Sequence, residues 1–207
     1  MKRWPYIVLV LILILGAVYV YRHRQDWGLV SPAGNGESGS AGLPSASPRP
    51  ANIAWQPVDR TSDGFKVEMP SGISQIQVPA YNEHGSSEQV DMIYTYPDTE
   101  TSYSVAWAAD PPIERINSEV PARTLAMARD DAMERTQTTL VTESEISQQG
   151  FPARDFSARN LGGGVFNARM VLARKRLYML TATFPSASAR RDQDVSRFFN
   201  SFSVVAP

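Results

Sequence analysis

The 207-residue chain contains no cysteine. Disulfides, thiolate catalysis and cysteine-ligated zinc or iron–sulfur centres are therefore excluded. Anchoring through an acylated cysteine is excluded too, so any membrane attachment must come from the peptide itself. The compartment stays open, because a domain of ordinary size holds together in an oxidising space without disulfides. Histidine is nearly as scarce: His23 and His84 are the whole supply. His23 flanks a hydrophobic segment, so imidazole chemistry in a folded domain rests on His84 alone. Neither a G-x-S-x-G elbow nor an H-E-x-x-H pair occurs.

Net charge is also small, at −1, but it is unevenly spread. Residues 56–148 carry 6 basic and 16 acidic side chains, and residues 149–207 carry 9 basic and 3 acidic. Two halves of opposite sign folding against each other account for this. The sharper reading gathers Arg174, Lys175, Arg176, Arg190 and Arg191 into one patch for an anionic partner such as lipid headgroups. Aromatic residues do not interleave with these cations, which argues against nucleic acid.

The chain does contain one long apolar run. Trp4 to Tyr21, WPYIVLVLILILGAVYVY, is 18 residues without a charge. As a helix it spans roughly 27 Å at about 1.5 Å per residue, close to the thickness of a bilayer core. Within lipid only a helix satisfies its own backbone hydrogen bonds. Trp4 and Tyr6 at one end and Tyr19 and Tyr21 at the other form aromatic belts. The run is longer than a cleaved signal's apolar region, and Val18 to Arg24 is a poor cleavage context. Residues 1–24 therefore read as an uncleaved signal anchor with its flanks. Lys2 and Arg3 nearly balance Arg22 and Arg24, so charge alone does not orient the helix.

Residues 25–54 are dominated by Gly, Ser, Pro and Ala. Such a segment buries too little apolar area to offset chain entropy, and it reads as a disordered tether. Residues 55–207 form the third part, long enough to bury its own core.

Within that part, period-two alternation predicts strands at 64–70, 73–78, 90–96 and 103–108, the last two joined as a hairpin by the turn at Pro97–Glu100. Helical spacing of Leu125, Ala128, Ala132 and Met133 predicts a helix over 121–138, with Asp131 and Arg135 paired on its opposite side and Asn117 or Ser118 as its cap. Strands follow at 139–147, 153–158, 165–173 and 176–184, with Asn160–Gly164 as a glycine-rich hairpin. A last helix over 188–201 carries the stripe Val195, Phe198, Phe199 and Phe202, and 203–205 adds a short strand. The expected fold class is α+β: a central antiparallel sheet with two packed helices, preceded by one transmembrane helix.

Few side chains propose chemistry. His84 as the base of a hydrolase lacks a nucleophile elbow. Glu83, His84, Glu88 and Asp91 match no standard metal spacing and read as an ordinary polar loop. The run Gly162–Gly164 precedes a strand, whereas a phosphate cradle needs a helix. Asp130 with Asp131, and Glu143 with Glu145, are carboxylate pairs that solvent exposure explains. Trp107 sits in mid-strand and reads as core. No catalytic residue, cofactor or metal ligand is assigned.

Five short segments carry a resemblance: DGFKVEMP at 63–70, YSVAWA at 103–108, QGFPARDF at 149–156, ARKRLYMLTATF at 173–184 and RFFNSF at 197–202. Together they resemble the PsbP-like α/β/α sandwich family, including DcrB-like bacterial envelope proteins. The resemblance spans about Trp55 to Val205. It implies a non-enzymatic accessory or binding module, tethered outside the cytoplasmic membrane (periplasmic), with a protein partner in the envelope and no shared set of functional side chains. A second reading is a small-molecule or sensor domain with a pocket between sheet and helix. A third is the hydrolase centred on His84.

Overall fold

The computed structural model describes residues 53–81, 87–108, 121–174 and 176–206. The expected anchor, most of the expected tether, and His84 lie outside the described residues. Among those described, no helix is long and apolar enough to cross a membrane.

Among the described residues ten strands and two helices follow one another: β1 (Trp55–Arg60), β2 (Phe65–Pro70), β3 (Ser74–Tyr81), β4 (Ser87–Thr95), β5 (Ser102–Ala108), α1 (Pro121–Thr136), β6 (Thr138–Gln148), β7 (Phe151–Asn160), β8 (Val165–Ala173), β9 (Arg176–Phe184), α2 (Asp192–Ser201) and β10 (Ser203–Val204). Seven strands make one antiparallel sheet in the order β3-β4-β5-β9-β8-β7-β6. Strands β1, β2 and β10 make a second, smaller sheet. The expected central antiparallel sheet with two packed helices is present, a second, smaller sheet accompanies it, and β1 is a strand that the periodicity did not reveal. The last helix is shorter than its pattern predicts, because Ala187–Ala189 forms a separate 3-10 turn.

The pleat divides the seven-stranded sheet into two cores. One face packs Met92, Ala106, Phe156, Phe166, Met170 and Met179 against Leu125, Ala128 and Ala132 of α1. The other packs Ile93, Val105, Trp107, Leu180 and Phe184 against the small sheet and the stripe Val195, Phe198, Phe199 and Phe202. Helices therefore cover opposite faces, with the small sheet beside α2. Strand β8 is buried along its whole length, as befits a central strand covered on both sides. Each fully buried Phe or Leu contributes roughly 1.5–3 kcal/mol of transfer free energy.

The resembling segments meet in space. Gly64 takes a φ of +88°, and its O accepts from Val205 N at 2.9 Å. The O of Asp63 before it accepts from Arg176 Nη1 at 2.8 Å and Tyr178 Oη at 3.1 Å. Phe65 lies 4.9 Å from the ring of Trp107, 5.8 Å from Tyr178 and 5.7 Å from Phe202. Ser201 Oγ accepts from Glu68 N and donates to Phe198 O, which ties α2 to β2. Gln149 and Gly150, both at positive φ, turn β6 into β7 in the manner of a two-residue hairpin loop. Gln149 Oε1 then accepts from Val204 N at 2.6 Å.

Candidate functional site

At one end of the large sheet the β4–β5 turn, the C-terminus of α1, the β7–β8 hairpin and the end of β9 converge. They enclose a cleft of about 230 Å³. Tyr96 lines it with a partly exposed ring, Phe166 and Phe184 line it from the two cores, and Ser102, Thr138 and Thr183 bring hydroxyls. Glu100 is the one carboxylate among its lining residues, which include no lysine or arginine.

Local chemistry places each wall. Pro97–Glu100 turns because Asp98 Oδ1 accepts from Glu100 N at 3.0 Å and Thr101 N at 2.6 Å. Arg191 Nη2 holds the same carboxylate at 2.8 Å. Desolvation works against its charge, yet the backbone and side-chain bonds from Glu100 and Thr101, with Arg191, keep the Asp98 carboxyl below its ordinary pKa. The turn presenting Glu100 is therefore fixed from below. On the opposite wall Asn160 Oδ1 accepts from Gly164 N at 2.8 Å. A Cβ on Gly164 would lie 2.8 Å from Asn160 Nδ2, so glycine is what lets the hairpin close on its own asparagine. Ser102 Oγ bonds Thr183 Oγ1, and one step deeper Ser104 Oγ bonds Thr181 Oγ1 at 2.6 Å. Each hydroxyl pair uses one hydrogen, so the outer pair keeps a donor and lone pairs for an incoming group. Thr136 ends α1, so the partial negative end of the helix dipole adds to Glu100.

The residues singled out from sequence are placed differently. Arg174 and Arg176 stand at the start of β9, whereas Arg190 and Arg191 follow its end. A nine-residue strand separates them by roughly 30 Å. Arg174 donates to Val205 O, Arg176 to Asp63 O, Arg190 pairs with Asp192, and Arg191 with Asp98. The four are not brought together, and Lys175 lies outside the described residues. Glu143 and Glu145 do share one face, but Arg154 joins both, and Arg129 of α1 also reaches Glu143. Burial opposes its charge, but the two guanidinium groups outweigh it and hold the Glu143 carboxyl below its usual pKa. These carboxylates lace α1 to the sheet. Asp91 is buried and accepts from Gln77 Nε2 at 2.9 Å. Trp107 is core, as its position in β5 predicts. No cluster of metal-ligating side chains occurs among the described residues.

Asp131 corrects a reading. It pairs with Arg135 at 3.2 Å, as the spacing predicts, yet it is 5% exposed instead of lying on the solvent side. Its position is only about 60° around the helix from Ala128, so it borders the apolar stripe. Burial pushes its carboxyl up to about 6, against the opposing pull of Arg135. Tyr103 is buried among α2 side chains, and burial raises its phenol well above the ordinary value.

No protein-family model matches the sequence, and no curated protein matches it. Among solved structures the chain is similar to the cyanobacterial PsbP (CyanoP) of Synechocystis sp. PCC 6803. Identity is 16% and the TM-score 0.48, covering 82% of this chain and 98% of that one. It is also similar to PA94 of Pseudomonas aeruginosa, a protein of unknown function. There identity is 14% and the TM-score 0.33, covering 65% of this chain and 85% of that one. The first is a PsbP, the family that the five segments resemble. No residue role, substrate or partner is carried across from either.

Proposed function

We propose that this chain is a non-catalytic binding or accessory module. In this reading Trp4 to Tyr21 tether it to the cytoplasmic membrane, and its α+β domain stands outside the cytoplasm, where it acts on another envelope protein or assembly. The observation that supports it is the use made of the charged groups. The carboxylates and guanidinium groups that sequence nominates for chemistry, Glu143, Glu145, Arg176 and Arg191 among them, tie one element to another. A second reading, a module for a small ligand, is favoured by the cleft beside the end of α1.

Topology is the decisive test, and the cysteine-free chain makes it clean. Ser40→Cys places one thiol in the tether. Labelling of intact spheroplasts by a membrane-impermeant maleimide is the expected result. Labelling only after lysis would put the domain in the cytoplasm and make a cytoplasmic adaptor the better reading.

A further inference from the structure

We propose that the cleft at the turn end of the large sheet binds a small organic cation: an ammonium group carried on an apolar body. The proposal rests on the ligand-binding reading of that cleft and adds the ligand's charge and size. Three features of the lining point the same way. Tyr96 supplies a partly exposed aromatic ring, which attracts a cation, and Phe166 and Phe184, buried in the cores on either side, supply apolar lining for an apolar skeleton. Glu100 supplies the one formal charge, and it is negative. Thr136, the last residue of α1, puts the helix's negative end at the rim.

Each feature alone is weak, but they share a sign. An anion would meet Glu100 and the helix C-terminus with no lysine or arginine among the lining residues to balance them. A metal ion would find one carboxylate and scattered hydroxyls, too few hard ligands for calcium or magnesium. A neutral apolar ligand would make no use of the exposed Glu100 carboxylate at the rim. An ammonium satisfies Glu100 and donates its remaining hydrogens to hydroxyl lone pairs such as those of Ser102 and Thr138. Size sets the second limit. At about 230 Å³ the space falls below the roughly 300–1,000 Å³ of drug-sized sites, so it takes a single ring or short chain.

The test compares three probes with one apolar body and different charge: phenethylamine, 2-phenylethanol and phenylacetate. Each is titrated into the full-length chain in neutral-detergent micelles, and binding is followed by amide chemical shifts of Glu100, Thr138, Gly162 and Gly164. Phenethylamine is expected to bind most tightly and phenylacetate least. Glu100→Gln is expected to weaken phenethylamine by about two- to sixfold, as befits an exposed ion pair, and to leave 2-phenylethanol unchanged. Glu145→Gln, which removes an exposed carboxylate elsewhere, is expected to change neither. Equal or tighter binding of 2-phenylethanol or phenylacetate at these amides would overturn the cation proposal and leave the cleft as a ligand site. Silence of these amides to all three probes would overturn both.

Discussion

At the scale of single residues, Gly64 carries two demands that can be separated. Its φ of +88° lies in the left-handed region that costs an ordinary residue roughly 1–2 kcal/mol. In addition, a Cβ there would lie 2.7 Å from Tyr178 Oη, and that hydroxyl is itself held by Asp63 O. Gly150 has a similar φ of +82°, but a Cβ there meets nothing within 4 Å. Gly150→Ala therefore tests the backbone alone, and Gly64→Ala tests backbone and contact together. Gly150→Ala is expected to cost about 1 kcal/mol and Gly64→Ala about 2–4 kcal/mol in urea unfolding. Equal losses would mean that Tyr178 yields without cost and that the motif's glycine serves the turn only. The segments DGF and RLY thus meet in the fold: one supplies a carbonyl, the other the hydroxyl and guanidinium that hold it.

Among the elements, α1 shows where pattern reading succeeds and where it misplaces a side chain. Leu125, Ala128 and Ala132 are buried where their spacing puts them. Asp131 was legible as the partner of Arg135 but not as buried, because a helical pattern assigns charge to the solvent side by default. Burial has a consequence for pH. The Asp131 carboxyl is raised from 3.8 to about 6, so the folded state holds this proton more tightly than the unfolded chain does. The stability it supplies is present below the unfolded value and is lost as pH rises through about 6. Asp131→Asn keeps the shape and removes the titration. At pH 7 the variant is expected to be about 1–3 kcal/mol more stable than the parent, and the two should converge below about pH 4. A stability difference that stays constant from pH 4 to 7 would show that Asp131 does not titrate with folding. Strand β1 escaped the pattern for a different reason. WQPVDR contains a proline and an aspartate, it lies at the edge of a three-stranded sheet, and none of its residues is fully buried. The cleft escaped for a third. Its walls come from four segments far apart in the chain, two of which, Pro97–Glu100 and Asn160–Gly164, were legible as turns but carry no local mark of what they face.

Across the whole molecule, the seven-stranded sheet belongs to both cores at once. Met179 and Leu180 are neighbours in β9, yet the first packs toward α1 and the second toward α2. Neither face can lose its packing without loosening the strands that support the other. Unfolding should therefore be one cooperative transition despite two sheets and two cores. Of the four tryptophans, the two among the described residues, Trp55 and Trp107, both belong to the α2 side, and Trp4→Phe with Trp27→Phe leaves these two as the fluorescence reporters. Leu125→Ala opens a cavity on the α1 side and is expected to cost about 2–5 kcal/mol. If the cores melt together, that lesion lowers the denaturant midpoint seen by tryptophan fluorescence by the same amount as the midpoint seen by far-ultraviolet circular dichroism. Phe198→Leu, on the other face, should shift both signals together by a smaller amount, and the two losses should add, since the sites lie on opposite sides of a sheet with about 10 Å of packing on each. A fluorescence midpoint that stays in place while the dichroism midpoint falls would mean that α1 detaches first. The α2 side with its small sheet would then be a separate folding unit, and the cleft at the end of α1 would open before the rest of the domain unfolds.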